Sequence, residues 1–214
     1  MRRLLVLFAS LVPAIAGAGE LSQAGDVELT PQIGWQWGGT QDYTSGFGFP
    51  AGGSLHAEAN LNYGGTLSMV ARPGYALELG YNYQSTDLTN RPVGGPEYKL
   101  ADLGTHYILV SGRRELPTAG RATPFVLGGV GGVGFYASGV SNWFWAFTVG
   151  GGLKADLSPK MALRLQARAL VPIQWGSSSL YFGSGGSGVS VSGGTSIFQG
   201  DASAGLVFKL GRAR

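Results

Sequence analysis

The side chains able to perform acid–base or metal chemistry are few and scattered in this sequence. Its 214 residues include 2 histidines, 12 acidic residues and no cysteine, which excludes disulfides, thiolate metal sites and cysteine nucleophiles. His56 lies two residues before Glu58, and His106 lies four residues after Asp102, so each pair would share one face of a β-strand. A metal site needs three or four converging ligands. We therefore predict no metal or cofactor and interpret both histidines as hydrogen-bonding groups.

Two further patterns bear on catalysis, and neither predicts an enzyme. Residues 129–134 fit G-x-G-x-x-G, but a phosphate-binding loop needs a strand that ends there and a helix that begins, whereas the strand pattern continues. Serines are abundant, and Asp42, His56 and Asp87 fall near one predicted rim of the molecule. No nucleophile is paired with a base in sequence, although the partners of a triad need not be neighbours. An enzyme acting at that rim stays an alternative hypothesis.

The first residues have the organisation of an export signal. Arg2 and Arg3 precede an apolar stretch over residues 4–16, and small residues at 16–18 offer a cleavage site. We predict that residues 1–18 are a cleaved secretory signal peptide and that residues 19–214 form one domain. Removal of two arginines leaves 13 basic against 12 acidic residues, so the formal charge falls from +3 to +1. Without a polybasic run, nucleic acid is not an expected partner.

The rest of the sequence consists of segments in which apolar and polar residues alternate, as in β-strands with two different faces. The alternation is clearest at 75–84, 143–157 and 161–174. The 38 glycines follow no three-residue period, and no apolar run after the first twenty residues is long enough for a membrane-spanning helix. The predicted strands are 26–39, 54–70, 75–88, 98–110, 122–136, 143–157, 161–174 and 196–210.

The connections between these strands predict how the sheet is arranged. Residues 71–74 and 158–160 read as tight turns, whereas 40–53, 89–97 and 175–195 are long and rich in Gly, Ser, Thr, Asn and Pro. Short turns at one end and long loops at the other are typical of a membrane barrel. The predicted fold class is all-β, an eight-stranded antiparallel up-and-down transmembrane β-barrel. A secreted lipocalin-like barrel or sandwich is the alternative.

The aromatic residues support a membrane barrel over a soluble one. In this topology all five tryptophans fall at the loop-bearing rim, with the parity of the apolar face. Aromatic rings concentrate at headgroup depth because their apolar bodies and polar edges suit that boundary. The predicted aromatic girdle comprises Trp35, Trp37, Tyr81, Tyr83, Trp143, Trp145 and Trp175.

The polar face of the strands would line the barrel interior, or lumen. Eight strands leave an interior only wide enough for side chains to fill, and buried charges are costly unless paired. Arg164 and Arg168 are the expected hubs, with Asp156 and Asp201 as partners. A narrow ion or solute path is the alternative to a closed plug. The predicted lumen charge network is Glu58, Glu78, Asp102, Lys154, Asp156, Arg164, Arg168 and Asp201, and Glu28, His56, His106 and Lys209 have the same parity.

Three segments resemble a known family. Residues 203–210 resemble an outer-membrane assembly signal, with Gly205, Phe208 and Leu210 at its characteristic positions. Residues 123–131 and 147–164 resemble a strand and a hairpin of the small outer-membrane β-barrels of the OmpA, OmpX and opacity-protein type. Gly211–Arg214 follow the signal, whereas the family ends on an aromatic residue. We expect no peptidoglycan-binding domain after the barrel, so a cell-wall anchoring role is not carried over from the resemblance.

The resemblance implies a cell outer-membrane location in a Gram-negative envelope. Its implied partners are outer-membrane lipid or lipopolysaccharide, the barrel assembly machinery and periplasmic chaperones. We expect a structural or surface-interaction role with a charge-plugged lumen. A narrow pore or transporter for small, apolar solutes is the alternative, and a lipid-A-modifying enzyme is a third hypothesis. The uncharged loop at 176–195 identifies no surface ligand.

Overall fold

A computed structural model describes residues 21–43, 52–120, 122–137, 140–173 and 198–212, which form β-strands joined by turns. Within these ranges, no helix is long and apolar enough to cross a membrane. The predicted signal peptide lies outside them. The strands are β1 Asp26–Gly38, β2 Thr40–Tyr43, β3 Gly53–Ala57, β4 Asn60–Arg72, β5 Tyr75–Pro92, β6 Tyr98–Glu115, β7 Ala122–Ala137, β8 Val140–Ser158, β9 Met161–Ile173 and β10 Gln199–Arg212.

The strands form one closed antiparallel sheet. β1 pairs with both β4 and β10, and the pairing of β5 with β6 completes the ring. β2 continues β1 past Gly39, where φ is +103°, and β3 leads into β4, so eight strands surround the lumen. Closure leaves no unpaired edge within the membrane, where no water could satisfy it. The predicted eight-stranded antiparallel barrel is confirmed.

The two ends of the barrel differ in their connections. At one end, here called the turn end, β4 meets β5 and β8 meets β9 through two-residue turns, and Gly74 has a φ of +75°. At the other, the loop end, β5 and β6 are each 18 residues long. About 9–11 tilted residues cross a bilayer, so this hairpin extends well beyond it. β6 runs to Glu115, which corrects the predicted end at residue 110.

Towards its turn end, the barrel is apolar outside and polar inside. On β1, Ile33 is 58% exposed and Trp35 is 46% exposed, whereas Glu28 and Thr30 are fully buried. This is the reverse of a water-soluble domain, because a bilayer solvates apolar side chains and leaves polar groups to be satisfied by the protein. The polar side chains therefore converge on the lumen.

Candidate functional site

The turn half of the lumen contains a buried cluster of charged side chains, here called the charge layer: Glu28, Glu78, Arg113, Glu115, Lys154 and Arg164. All six are at most 4% exposed at their side chains. Three carboxylates face three cations, so the layer is formally neutral. Since unpaired charges are expensive to bury, this pairing is what allows the layer to exist.

Arg113 is the hub of the charge layer. One terminal nitrogen lies 2.8 Å from Glu28 and 3.2 Å from Glu115, and the other lies 3.1 Å from Glu78. Arg164 donates two hydrogen bonds to Glu78, of 2.7 and 2.9 Å. This two-pronged geometry fixes the orientation of both groups.

A serine beside β1 completes the charge layer. The backbone N–H of Ser22 donates to Glu115 at 2.8 Å, and its hydroxyl contacts Glu28, Glu115 and Lys154. Lys154 also lies 2.6 Å from Glu115 and 3.2 Å from Glu28. Ser22 therefore closes the layer on its turn side, and its carbonyl accepts a hydrogen bond from Gly74.

Above the charge layer the lumen becomes steadily less charged. Arg168 pairs with Asp201 at 2.9 Å, and Asn62 donates to the second oxygen of Asp201 at 2.5 Å. Gln36 then donates to Gln199 at 3.0 Å, and the Tyr107 hydroxyl donates to the same Gln199 oxygen. Neutral groups thus replace ions towards the loop end.

The loop half of the lumen is filled by packed apolar side chains, here called the apolar layer. Val133, Ala146 and Leu170 are fully buried there, and Tyr107 links this layer to the polar groups below. The layer consists of Leu55, Ala57, Leu88, Leu103, Tyr107, Leu109, Val133, Phe135, Ala137, Ala146 and Leu170. An ion crossing the lumen would meet both a packed apolar segment and a segment of buried, ion-paired side chains.

Five residues of the predicted network point into the lumen: Glu78, Lys154, Arg164, Arg168 and Asp201. Arg168 has its expected partner, but Arg164 binds Glu78 rather than Asp156. Asp156 lies at the turn end, where it is partly exposed and pairs with Lys209 at 2.8 Å. Arg164 and Arg168 therefore pair with different acidic residues.

Asp102 and Glu58 do not belong to the lumen network, so their predicted placement was wrong. Asp102 points outward from β6 and lies 2.7 Å from Lys99, which also lies 2.8 Å from Asp87. Outside the membrane, the hydrogen bond from Lys99 lowers the pKa of Asp102, and the bonds to Asp102 and Asp87 raise the pKa of Lys99. Glu58 is exposed in the break between β3 and β4.

Both histidines also face outward. Leu55 and Ala57 fill the apolar layer, so His56 lies on the opposite face, where it hydrogen-bonds Thr40 at 2.9 Å. His106 accompanies Asp102 on β6. Parity failed here because from the girdle outward the exterior meets headgroups and water, so polar residues can point outward and apolar residues inward, as in a soluble protein. Among the described residues, no group of three or more acidic or histidine side chains could hold a metal.

Ser22, Arg113 and Glu115 are the residues in and beside the charge layer that the sequence prediction missed. Ser111, Arg113 and Glu115 alternate with Gly112 and Arg114, which continues the strand pattern of β6. The sequence prediction ended this strand at residue 110 and so left all three positions in a connection. The signal that would have identified Arg113 and Glu115 is this continued alternation, which places both on the same face as Ser111.

The predicted aromatic girdle lies on the outward face near the loop end. Trp35, Trp37, Tyr81, Trp143 and Trp145 are 43–65% exposed, Tyr83 is partly exposed, and Trp175 lies outside the described residues. His106 sits within this girdle, with its ring centre 4.6 Å from that of Tyr83 and its Nδ1 2.9 Å from the Tyr81 hydroxyl. Gly205, Phe208 and Leu210 lie on β10, and their role in assembly stays a prediction.

Comparisons with known proteins bear on the fold. No protein-family model and no curated protein sequence matches the chain. Its structure is similar to Neisserial surface protein A, with a TM-score of 0.54 and 11% identity over 87% of this chain and 98% of that chain. The outer-membrane protein AlkL has a TM-score of 0.46 and 17% identity over 95% of this chain and 98% of its own. The N-terminal barrel of Pseudomonas aeruginosa OprF has a TM-score of 0.43 and 12% identity over 87% of this chain and 100% of its own.

The first of these similarities agrees with the closed ring of eight strands and the apolar exterior. A polar, filled lumen and an aromatic girdle are the remaining features of such a protein. The chain thus has the fold of the small eight-stranded outer-membrane β-barrels.

Proposed function

We propose that this protein is a non-conducting outer-membrane barrel with a structural or surface-interaction role, exerted at its loop end. The observation that carries the proposal is the neutral, fully buried charge layer beneath the apolar layer. Buried side chains occupy the lumen in both layers, ion-paired in one and packed against each other in the other. An interior of this kind supplies rigidity and leaves the exposed end as the place for specificity.

The loop end offers surface on which an interaction could occur. The β5–β6 hairpin extends beyond the girdle, where β2 pairs with β3 and β3 pairs with β5. Lys99, Asp87 and Asp102 form an exposed ion-pair group on this wall. Short turns face the periplasm in such barrels, so this wall faces the cell exterior. Lipopolysaccharide is the first partner that it would meet, and the assembly machinery and chaperones are the partners expected earlier.

Conductance in planar bilayers tests the closed lumen. The purified barrel should give no stable single-channel openings, whereas robust openings by the wild-type protein would overturn the proposal. Arg113→Ala with Glu115→Ala removes two buried side chains without changing net charge, and should increase ion leakage. Asp156→Ala with Lys209→Ala is the matched control, because it removes a neutral pair from the partly exposed turn end.

The apolar layer favours one second candidate, uptake of a small apolar solute. Its side chains would accept an alkane-like molecule from the loop end, whereas the charge layer would stop it, so passage would need an exit through the wall. Uptake of a radiolabelled alkane into proteoliposomes measures this directly. Uptake no faster than into protein-free liposomes would remove this candidate.

A non-enzymatic role is part of the proposal, and it too is testable. Two of the three rim residues considered for catalysis have other partners, since His56 contacts Thr40 and Asp87 contacts Lys99. Mass spectrometry of lipid A from cells with and without the protein should give identical spectra. A new or missing acyl or phosphate group would revive the enzyme hypothesis.

A further inference from the structure

Two arginines flank one tyrosine on the membrane-facing side of the barrel at its turn end. Arg72, Tyr75, Arg114 and Val126 are successive partners across β4, β5, β6 and β7, so they form one row on the outer surface. The guanidinium carbon of Arg72 lies 3.9 Å from the centre of the Tyr75 ring, and that of Arg114 lies 5.4 Å from it. Two positively charged guanidinium groups therefore lie against the same tyrosine ring.

These charges are not neutralised by the described part of the chain. No carboxylate there forms an ion pair with Arg72 or Arg114. Glu115, the acidic residue next to Arg114, points into the lumen and is used by Lys154, Arg113 and Ser22. Cation–π contacts orient a guanidinium without cancelling its charge. The row is therefore cationic and available to an anion.

Directly above this row the surface has a groove. Leu77, Gly112, Gly128 and Val149 form the next row of partners, and its two central residues lack side chains. The groove has a volume of about 420 Å³ and is lined at its lower end by Arg72, Tyr75 and Arg114. A Cβ atom at Gly112 would meet nothing within 4 Å, so the protein's own packing does not require glycine there.

We infer that this site binds an anionic phospholipid of the periplasmic leaflet. The phosphate would accept hydrogen bonds from the two guanidinium groups, which suit phosphate geometry, while one acyl chain lies over Gly112 and Gly128. Short turns place this end at the periplasmic leaflet, which holds phospholipid. A zwitterionic lipid carries its own amine beside the phosphate, so it gains less from two cations. The site goes beyond the proposed function and is independent of whether the lumen conducts.

Competitive lipid retention tests the site. The detergent-folded barrel is mixed with equal amounts of phosphatidylglycerol and phosphatidylethanolamine, and bound lipid is counted by native mass spectrometry. The wild-type protein should retain phosphatidylglycerol preferentially, and Arg72→Gln and Arg114→Gln should each reduce its binding about fivefold. Arg91→Gln, at the exposed loop end, is the matched charge control and should change nothing. Equal retention of the two lipids by the wild type would overturn the inference.

The groove is tested separately. Gly112→Leu fills it without touching the arginines, and should weaken retention of both lipids while the preference between them persists. Ala202→Leu, on the membrane-facing side of β10, is the matched control for added bulk. Heat-dependent gel mobility verifies that each variant is folded. If folded Gly112→Leu retains lipid like the wild type, the acyl-chain part of the inference is wrong. Unchanged retention of phosphatidylglycerol by folded Arg72→Gln and Arg114→Gln would reject the headgroup part.

Discussion

Replacing Arg113 by methionine should destabilise the barrel more than any change to its exposed charges. Arg113 contacts three carboxylates at 2.8–3.2 Å, and its side chain is 1% exposed. Methionine keeps much of the volume but leaves three buried carboxylates with only Lys154 and Arg164. Breaking a buried pair in this way costs about 3–5 kcal/mol. If the free energy of unfolding falls by about 2 kcal/mol per molar urea, the urea concentration at the unfolding midpoint should fall by roughly 2 M.

The assay is urea unfolding in lipid vesicles, followed by circular dichroism and by gel mobility of unheated samples. Lys209→Met is the control, because its pair with Asp156 has side chains 23% exposed, and a partly hydrated pair contributes only about 0–1 kcal/mol. Adding Glu28→Gln to Arg113→Met restores formal neutrality, so it should recover part of the loss. Equal midpoints for Arg113→Met and Lys209→Met would refute the reasoning that buried pairing holds the lumen together.

Three further outcomes are expected. Gly152→Val should prevent folding, because its Cβ would overlap the carbonyl oxygen of Leu165 on β9. Gly112→Val should still fold, as shown by a heat-sensitive gel shift. Folding of both variants would contradict the close approach of β8 and β9. In wild-type protein, NMR should find the Asp102 carboxyl titrating below its ordinary pKa of 3.8, and Lys99→Gln should raise that midpoint. Any stabilisation from this pair is therefore lost as pH falls through the lowered pKa. An unchanged midpoint in the variant would show that Lys99 is not the cause of the lowered pKa. Phe208→Ala should slow insertion in cells but leave refolding in detergent unchanged, and equal insertion rates would dismiss the assembly signal.

The strand pattern predicted the barrel well because one physical rule governs most of its length. Within the bilayer, alternate residues must be apolar outside and polar inside, so Glu78, Arg164 and Asp201 could be placed from parity alone. The rule holds only while lipid surrounds the strand. His56 and Asp102 lie beyond that boundary, and nothing in the alternation marks where lipid ends.

Which charged residues pair across the lumen was harder to predict than which face of a strand each residue occupies. Arg164 pairs with Glu78 on β5, and Arg113 on β6 pairs with acidic residues on β1, on β5 and on its own strand. These partners are separated by many residues and are brought together by the stagger of the ring, which sequence spacing does not specify. Ser22 was also unpredictable, because its contribution depends on the path of the chain before β1.

The tryptophans are distributed unevenly between the two ends of the barrel. Trp35, Trp37, Trp143 and Trp145 all lie near one end on the outer surface, and the described part of the turn end has none. A water-soluble quencher added outside sealed proteoliposomes would therefore dim the emission strongly if loop ends face outward, and weakly if they face the vesicle interior. Insertion orientation can thus be read from intrinsic light emission, without a label or a protease site.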